Sequence, residues 1–136
     1  MAAFSDYLEN KLVDATLRGQ SFTAPSTVYL ALFTADPTDA STGSELTDSG
    51  YVRQDMAKGG AVATGWAAPS NGVTSNAQLI QFPPIADGTV VLTHYALFDA
   101  QSGGNMLYHS SLTTSKTMEL SDVTSFDIGA LTITLR

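Results

Sequence analysis

The chain has 136 residues, with thirteen acids, six bases and no cysteine, for a net charge of −7. Without cysteine there are no disulfides, thiolate metal sites or thiol nucleophiles, and the six bases stand singly, which removes the basic stripe a nucleic-acid partner requires. Charged residues are only 14% of the chain against a usual share of about 25%, and Ser and Thr alternate with apolar residues, a texture that suits strands and turns.

The N-terminus opens MAAFSDYLEN, without the basic and apolar regions of a secretory leader. No stretch approaches the roughly 20 apolar residues of a membrane span. The expectation is therefore one domain over 1–136, made in a cytosol, with a helical arm at 1–19 and a β-sandwich at 27–136.

Residues 5–18 read as the one good helix. Ser5 is placed to cap it, Asp6 suits the positive end of the dipole, Arg18 the negative end, and Gly19 the position just beyond. Leu8, Leu12 and Ala15 form a stripe, with Val13 and Leu17 beside it. The stripe suits packing on the chain's own sheet; packing on a neighbouring subunit is the alternative, and it makes Leu8, Leu12 and Leu17 the candidate interface residues.

After a polar connector, Thr27–Asp36 (TVYLALFTAD) is apolar on both faces of an extended strand. Val28, Leu30 and Leu32 lie on one side, and Tyr29, Ala31 and Phe33 on the other, as in a strand covered twice. Asp36-Pro37-Thr38-Asp39 ends it in a turn. The segment Ala31-Leu32-Phe33 is echoed by Ala96-Leu97-Phe98, so two similar central strands are expected side by side or face to face. The stretch 36–50 carries four acids in a long loop. Its Asp36, Asp39, Glu45 and Asp48 lack the spacing of a calcium loop, and a solvated loop is the expectation.

Tyr51–Gln54, 61–66 and 75–82 read as further strands, the last stopped by Pro83-Pro84. Trp66, the only tryptophan, is a core or interface anchor or else a sugar-stacking platform. Thr89–Asp99 and Met106–Leu112 form a hairpin with its loop at 99–105, in which Phe98 faces Met106 and His94 falls near His109, offset by one. Two histidines fall short of a typical zinc site, so ordinary strand histidines are expected. Leu131, Ile133 and Leu135 alternate with Thr132 and Thr134 in a half-buried closing strand. Seven or eight strands with one leading helix make a mainly β, antiparallel sandwich or barrel.

No nucleophile elbow or phosphate-binding glycine loop occurs. No catalytic, cofactor or metal residue is therefore assigned, and a non-enzymatic role is expected.

The opening FSDYLENKLVDATLRGQSFTAPSTVYLALFTADPTD, then SGYVRQ, IQFPPI and THYALFDAQSGGNMLYHSSLTTSKTMELSDVTSFDIGALTITL, resembles a family of small tailed-bacteriophage structural proteins labelled tail fibre proteins. The resemblance implies a virion component acting by contact, associated with the tail as fibre, adaptor or tip. Its partners would be other virion proteins and copies of itself, a trimer being the expected form. A capsid decoration protein on the major capsid lattice is the first alternative. A module binding host-surface glycan is the second, with Trp66, Tyr51, Asp39 and Glu45 as its outward-facing residues. No nucleic acid and no membrane insertion are expected.

Overall fold

A strand with apolar side chains on both faces needs a layer on each side, and this requirement sets the architecture. The computed structural model describes residues 2–135. The described residues form one helix and nine strands: β1 (Ala3–Phe4), α1 (Asp6–Leu17), β2 (Tyr29–Phe33), β3 (Gln54–Asp55), β4 (Val73–Ser75), β5 (Ile80–Gln81), β6 (Val90–Phe98), β7 (Met106–Met118), β8 (Ser125–Phe126) and β9 (Thr132–Thr134). The fold is mainly β and sandwich-like. A five-stranded antiparallel sheet, ordered β1-β7-β6-β2-β3, faces two small antiparallel pairs, β4-β9 and β5-β8.

The two echo segments meet as neighbours. β2 pairs with β6 so that Ala31 lies opposite Ala96, Leu30 opposite Leu97 and Leu32 opposite Tyr95. On one face Leu30, Leu32, Leu92, Tyr95 and Leu97 pack against Ile80, Phe82, Phe126, Leu131 and Ile133 of the second layer. Each fully buried leucine there contributes roughly 1.5–3 kcal/mol. On the other face Ala31, Phe33, Ala96, Phe98 and Met106 form a second, smaller cluster.

The acidic loop is exposed over most of its length, as expected of a solvated segment, yet it is anchored along the edge of β2 and over this second face. Pro37 is fully buried and Leu46 nearly so, and Leu46 donates its amide to the Leu32 carbonyl at 2.9 Å. The Thr34 amide reaches the Ser44 carbonyl at 2.8 Å, and the amides of Thr42 and Gly43 both reach the Pro37 carbonyl. A side chain at Gly43 would come within 2.3 Å of the Asp36 carbonyl oxygen, so only glycine closes the loop this tightly. Its charge did not decide its place; its few apolar residues and its backbone did.

Four further expectations are corrected. Residues 62–65 form a single 3-10 turn, not a strand. The 75–82 segment divides into β4 and β5, with Asn76 at the break. β7 continues through Met118 by way of an irregularity: Leu92 pairs with Lys116 but His94 with Ser111, leaving 112–115 outside the register. The expected strand at Tyr51–Gln54 keeps only Gln54, which forms the two-residue β3 together with Asp55.

The helix is Asp6–Leu17, capped as expected. Ser5 is buried; its hydroxyl accepts from the Leu8 amide at 3.2 Å and donates to the Met106 carbonyl at 2.5 Å. Ser5→Ala removes the cap and leaves a buried carbonyl without its donor. A loss of about 2 kcal/mol is expected, read as a lower denaturation midpoint at unchanged denaturant slope. Leu8 is the helix's one buried residue, while Val13 is 52% and Leu17 79% exposed.

Candidate functional site

Where the helix, the connector after it and the end of the second layer come together, an apolar groove of about 370 Å³ opens. Leu8 supplies the helix side, Phe22, Pro25 and Val28 the connector side, and Leu97, Leu107 and Tyr108 the floor from β6 and β7. Trp66, Pro69, Ile133 and Leu135 close the far wall, with Gly72 and Thr74 between them. None of the lining residues carries a charge, in a protein with a net charge of −7.

Local structure places these walls. Trp66 bridges to Asn76, the Ala67 amide donates to the Ser75 carbonyl at 2.9 Å, and the Thr74 hydroxyl donates to the Ala67 carbonyl at 2.6 Å. The turn at Gly72 brings the chain against the terminal strand. The Leu135 amide donates to the Gly72 carbonyl at 2.8 Å, and a Cβ at Gly72, whose φ is +76°, would lie 2.6 Å from the Leu135 carbonyl oxygen. Leu107 is the extra residue at a β-bulge, since Leu97 pairs with Tyr108 and Phe98 with Met106. The bulge turns a side chain that would have pointed at the second face toward the helix and the groove. Burial pushes the Tyr108 phenol up from its ordinary pKa, so the hydroxyl stays neutral.

The structure separates the candidate residues into three places. Leu8 and Trp66 line the groove together, both inward of its mouth; Leu8 therefore packs on its own chain. Leu12 is half-buried beside it and Leu17 stands on the solvent side of the helix.

Tyr51 and Glu45 are half-buried and line a shallow surface pocket rather than standing free in solvent. They meet Arg53, which is 7% exposed, along the β2 side of the main sheet. The guanidinium grips Glu45 twice, Nε to Oε1 and Nη2 to Oε2, both at 2.8 Å. Its Nη1 donates to the carbonyls of Ala100 and Gly103, and its plane lies 3.7 Å from the Phe98 ring centroid. The Tyr51 hydroxyl donates to Glu45 at 2.6 Å and accepts from the Leu32 amide at 3.2 Å. Burial works to raise the Glu45 carboxyl, but the bonds from Arg53 and Tyr51 outweigh it and hold it below the ordinary carboxylate value. Burial and the adjacent carboxylate push the Tyr51 phenol well up.

Asp39 forms the third place. It bonds His109 Nε2 at 2.7 Å, and its carbonyl accepts the Asp6 amide at the start of the helix. The two histidines do share a face, since His109 is opposite Ala96 and His94 is two residues along the same strand as Ala96. No grouping of three or more His, Asp or Glu able to hold a metal occurs among the described residues. The sequence reading missed Phe22, Pro25, Pro69 and Tyr108 as groove residues. For Phe22, Pro25 and Pro69 the signal was an aromatic and prolines set in segments otherwise polar enough to pass for linkers, while Tyr108 lies within β7.

The uncharged, mainly apolar lining of the groove offers a surface for contact. The sequence comparison places the chain among phage fibre proteins. The family described as Podophage GP4 fiber I protein gp80 matches residues 3–134, and the chain belongs to that family. No curated protein matches the sequence. The resemblance carried by the opening and closing segments therefore points to the right family, and no described helix is long and apolar enough to cross a membrane.

Proposed function

We propose that this chain is a non-enzymatic, tail-associated component of the phage particle that works through protein–protein contacts. The observation that carries the reading is the family match over residues 3–134. The apolar groove supplies the mode of contact: an uncharged, apolar segment of a neighbouring virion protein seated between Leu8 and Trp66. Lack of charge favours such a segment, because a buried charge there would find no partner. The exposed Val13 and Leu17 offer a second contact along the helix, suited to a homo-oligomer such as a trimer.

Copy number per particle tests the reading, by quantitative mass spectrometry of purified virions against the major capsid protein. A tail component is expected at a few copies per hundred capsid subunits. Near-stoichiometric amounts would assign it to the capsid as decoration, and absence from particles would overturn the structural role.

The groove is tested separately by Leu135→Lys. This side chain is 38% exposed at the mouth, so the charge can reach water and the fold is expected to hold. Incorporation into particles is expected to fall about tenfold or more, the effect of losing a well-placed apolar contact. Normal incorporation would remove the groove from the contact surface.

A further inference from the structure

We infer that the cleft between the uncovered edges of β7 and β9 is a strand-addition site, which takes a short, extended, carboxylate-bearing segment of another polypeptide. β1 covers β7 only at Tyr108 and His109, and no strand neighbours that edge of β7 beyond them among the described residues. β9 likewise has β4 on one side alone among the described residues. The two edges, one from each layer, border the same opening of about 470 Å³. Residues 110–114 and Lys116 line it from β7, and Phe126 and residues 130–132 line it from the second layer. It shares no residue with the apolar groove, so it is a surface separate from the contact proposed there.

The backbone says what kind of occupant fits. In an antiparallel pair, alternate residues turn both their amide and their carbonyl toward the partner strand. The Asn76 amide donates to the Leu131 carbonyl, and the Leu135 amide donates to the Gly72 carbonyl, so Leu131, Ile133 and Leu135 face β4. Thr132 and Thr134 therefore turn their amides and carbonyls the other way, along the uncovered edge. Groups set out in this manner are matched by the backbone of an added strand. A sugar fits less well: the rings of the cleft, Tyr95 and Phe126, are 5% and 6% exposed, and neither offers an open face for stacking.

Charge and shape narrow the occupant further. Lys116 is the one charged residue lining the cleft, and its ammonium lies 5.0 Å from the centroid of the Phe126 ring. No carboxylate pairs with it among the described residues. An unpaired cation at the mouth of the cleft favours a carboxylate on the incoming segment. The β7 edge is also interrupted, since 112–115 fall outside the register with β6. A broken edge that carries a lysine resists the joining of two long sheet edges, which favours a short segment over the edge of a second copy. Leu112 and Leu131 give the inward side chains of that segment apolar contacts.

Amide NMR of the full chain tests this with a panel of acetylated, amidated peptides of about five residues, a typical strand length, which alternate Val and Thr and carry one Asp at each position in turn. Members of the panel are expected to shift the amides of Thr132 and Thr134. They are expected to bind about two- to fivefold more tightly than counterparts with Lys in place of Asp, the scale of a partly exposed ion pair. Methylating the backbone nitrogens of the best peptide is expected to abolish binding. Lys116→Gln is expected to remove the preference for Asp and to keep the Thr132 and Thr134 shifts. Unmoved Thr132 and Thr134 amides across the panel at about 5 mM peptide would overturn the strand-addition site. So would a best peptide that binds equally well when methylated. Equal affinity for the Asp and Lys series would overturn the carboxylate, and concentration-dependent shifts of both amides without peptide would overturn the choice of occupant in favour of a second copy.

Discussion

Arg53→Met is expected to lower the unfolding free energy by about 3–5 kcal/mol, the cost of breaking a buried ion pair by removing one partner. The guanidinium makes four hydrogen bonds, two to Glu45 and one each to the Ala100 and Gly103 carbonyls, and lies flat on Phe98. Methionine can cover the ring but offers no donor, so Glu45 is left half-buried with only the Tyr51 hydroxyl. Arg53→Lys keeps the charge and loses the fork. It is expected to recover less than half of the loss. The double variant Arg53→Met, Glu45→Leu removes both charges and is expected to be more stable than Arg53→Met alone. Urea denaturation of the four proteins measures this directly. A double variant no better than the single one would mean that the carbonyl bonds to the 100–103 loop, and not the ion pair, hold the site.

The same pair fixes the acid behaviour of the protein. Glu45 has a folded pKa below that of a free carboxylate, so its contribution is fully present above the unfolded value of about 4.3 and is lost as the pH falls through the folded one. Asp48 acts in the same direction. Desolvation works to raise its carboxyl, but the amides of Ala86, Asp87 and Gly50 together outweigh it and hold the carboxylate low. Arg53→Met removes the cation that lowers Glu45, and the slope of stability against pH below about pH 4.5 is expected to flatten in that variant.

What the sequence disclosed and what it hid divide along physical lines. Periodicity and end signals are local, so the helix with its Ser5 cap, the two-faced β2 strand and the 99–105 hairpin with its Phe98–Met106 pair were legible. The Leu107 bulge shifts the register beyond that pair, so His109 lies opposite Ala96 and His94 opposite Ser111, an offset of two where one was expected. The echo between Ala31-Leu32-Phe33 and Ala96-Leu97-Phe98 was visible too, and its cause is that both segments run through the middle of one sheet, covered on both faces. Polar partnership is non-local, and there the reading failed. Glu45 and Arg53 are eight residues apart across a stretch without regular periodicity, and His109 and Asp39 are seventy apart. Acids that look like a solvated run are therefore divided among three tasks: gripping Arg53, holding His109 and clasping the 86–87 turn. The groove was hidden for a related reason. Leu8 and Trp66 each gave a signal alone, but their meeting depends on the Leu107 bulge and on the close approach of Gly72 to Leu135, neither of which has a pattern to read.

Asn76→Ala is expected to cost about 2–4 kcal/mol, because the side chain is the joint between the two small sheets of the second layer. It is 1% exposed and its whole hydrogen-bonding capacity is turned inward. Nδ2 donates to the Gln78 carbonyl at 2.8 Å and to the Asp127 carbonyl at 2.9 Å, and Oδ1 accepts the Leu131 amide at 2.9 Å. Its own backbone donates to the Leu131 carbonyl and accepts from Gly129. One residue thus replaces the ladder that β4-β9 and β5-β8 lack between them, and this explains why an expected strand over 75–82 breaks here. Alanine would leave three backbone groups without partners, each costing about 1–3 kcal/mol, with water recovering part of the loss at the surface. Asn76→Asp keeps the acceptor for Leu131 but sets a carboxylate against two carbonyl oxygens. It is therefore expected to be worse than alanine at neutral pH and to improve in acid, as the acid form regains a donor. Thermal melts at about pH 7 and pH 4 distinguish the two variants. If Asn76→Asp were no less stable than Asn76→Ala at about pH 7, the carbonyls of Gln78 and Asp127 would not be converging on this position. Because Trp66 bridges to Asn76 and Ile133 follows two residues after Leu131, loss of the joint is also expected to loosen the far wall of the groove. Trp66 fluorescence should then shift to the red before the main unfolding transition.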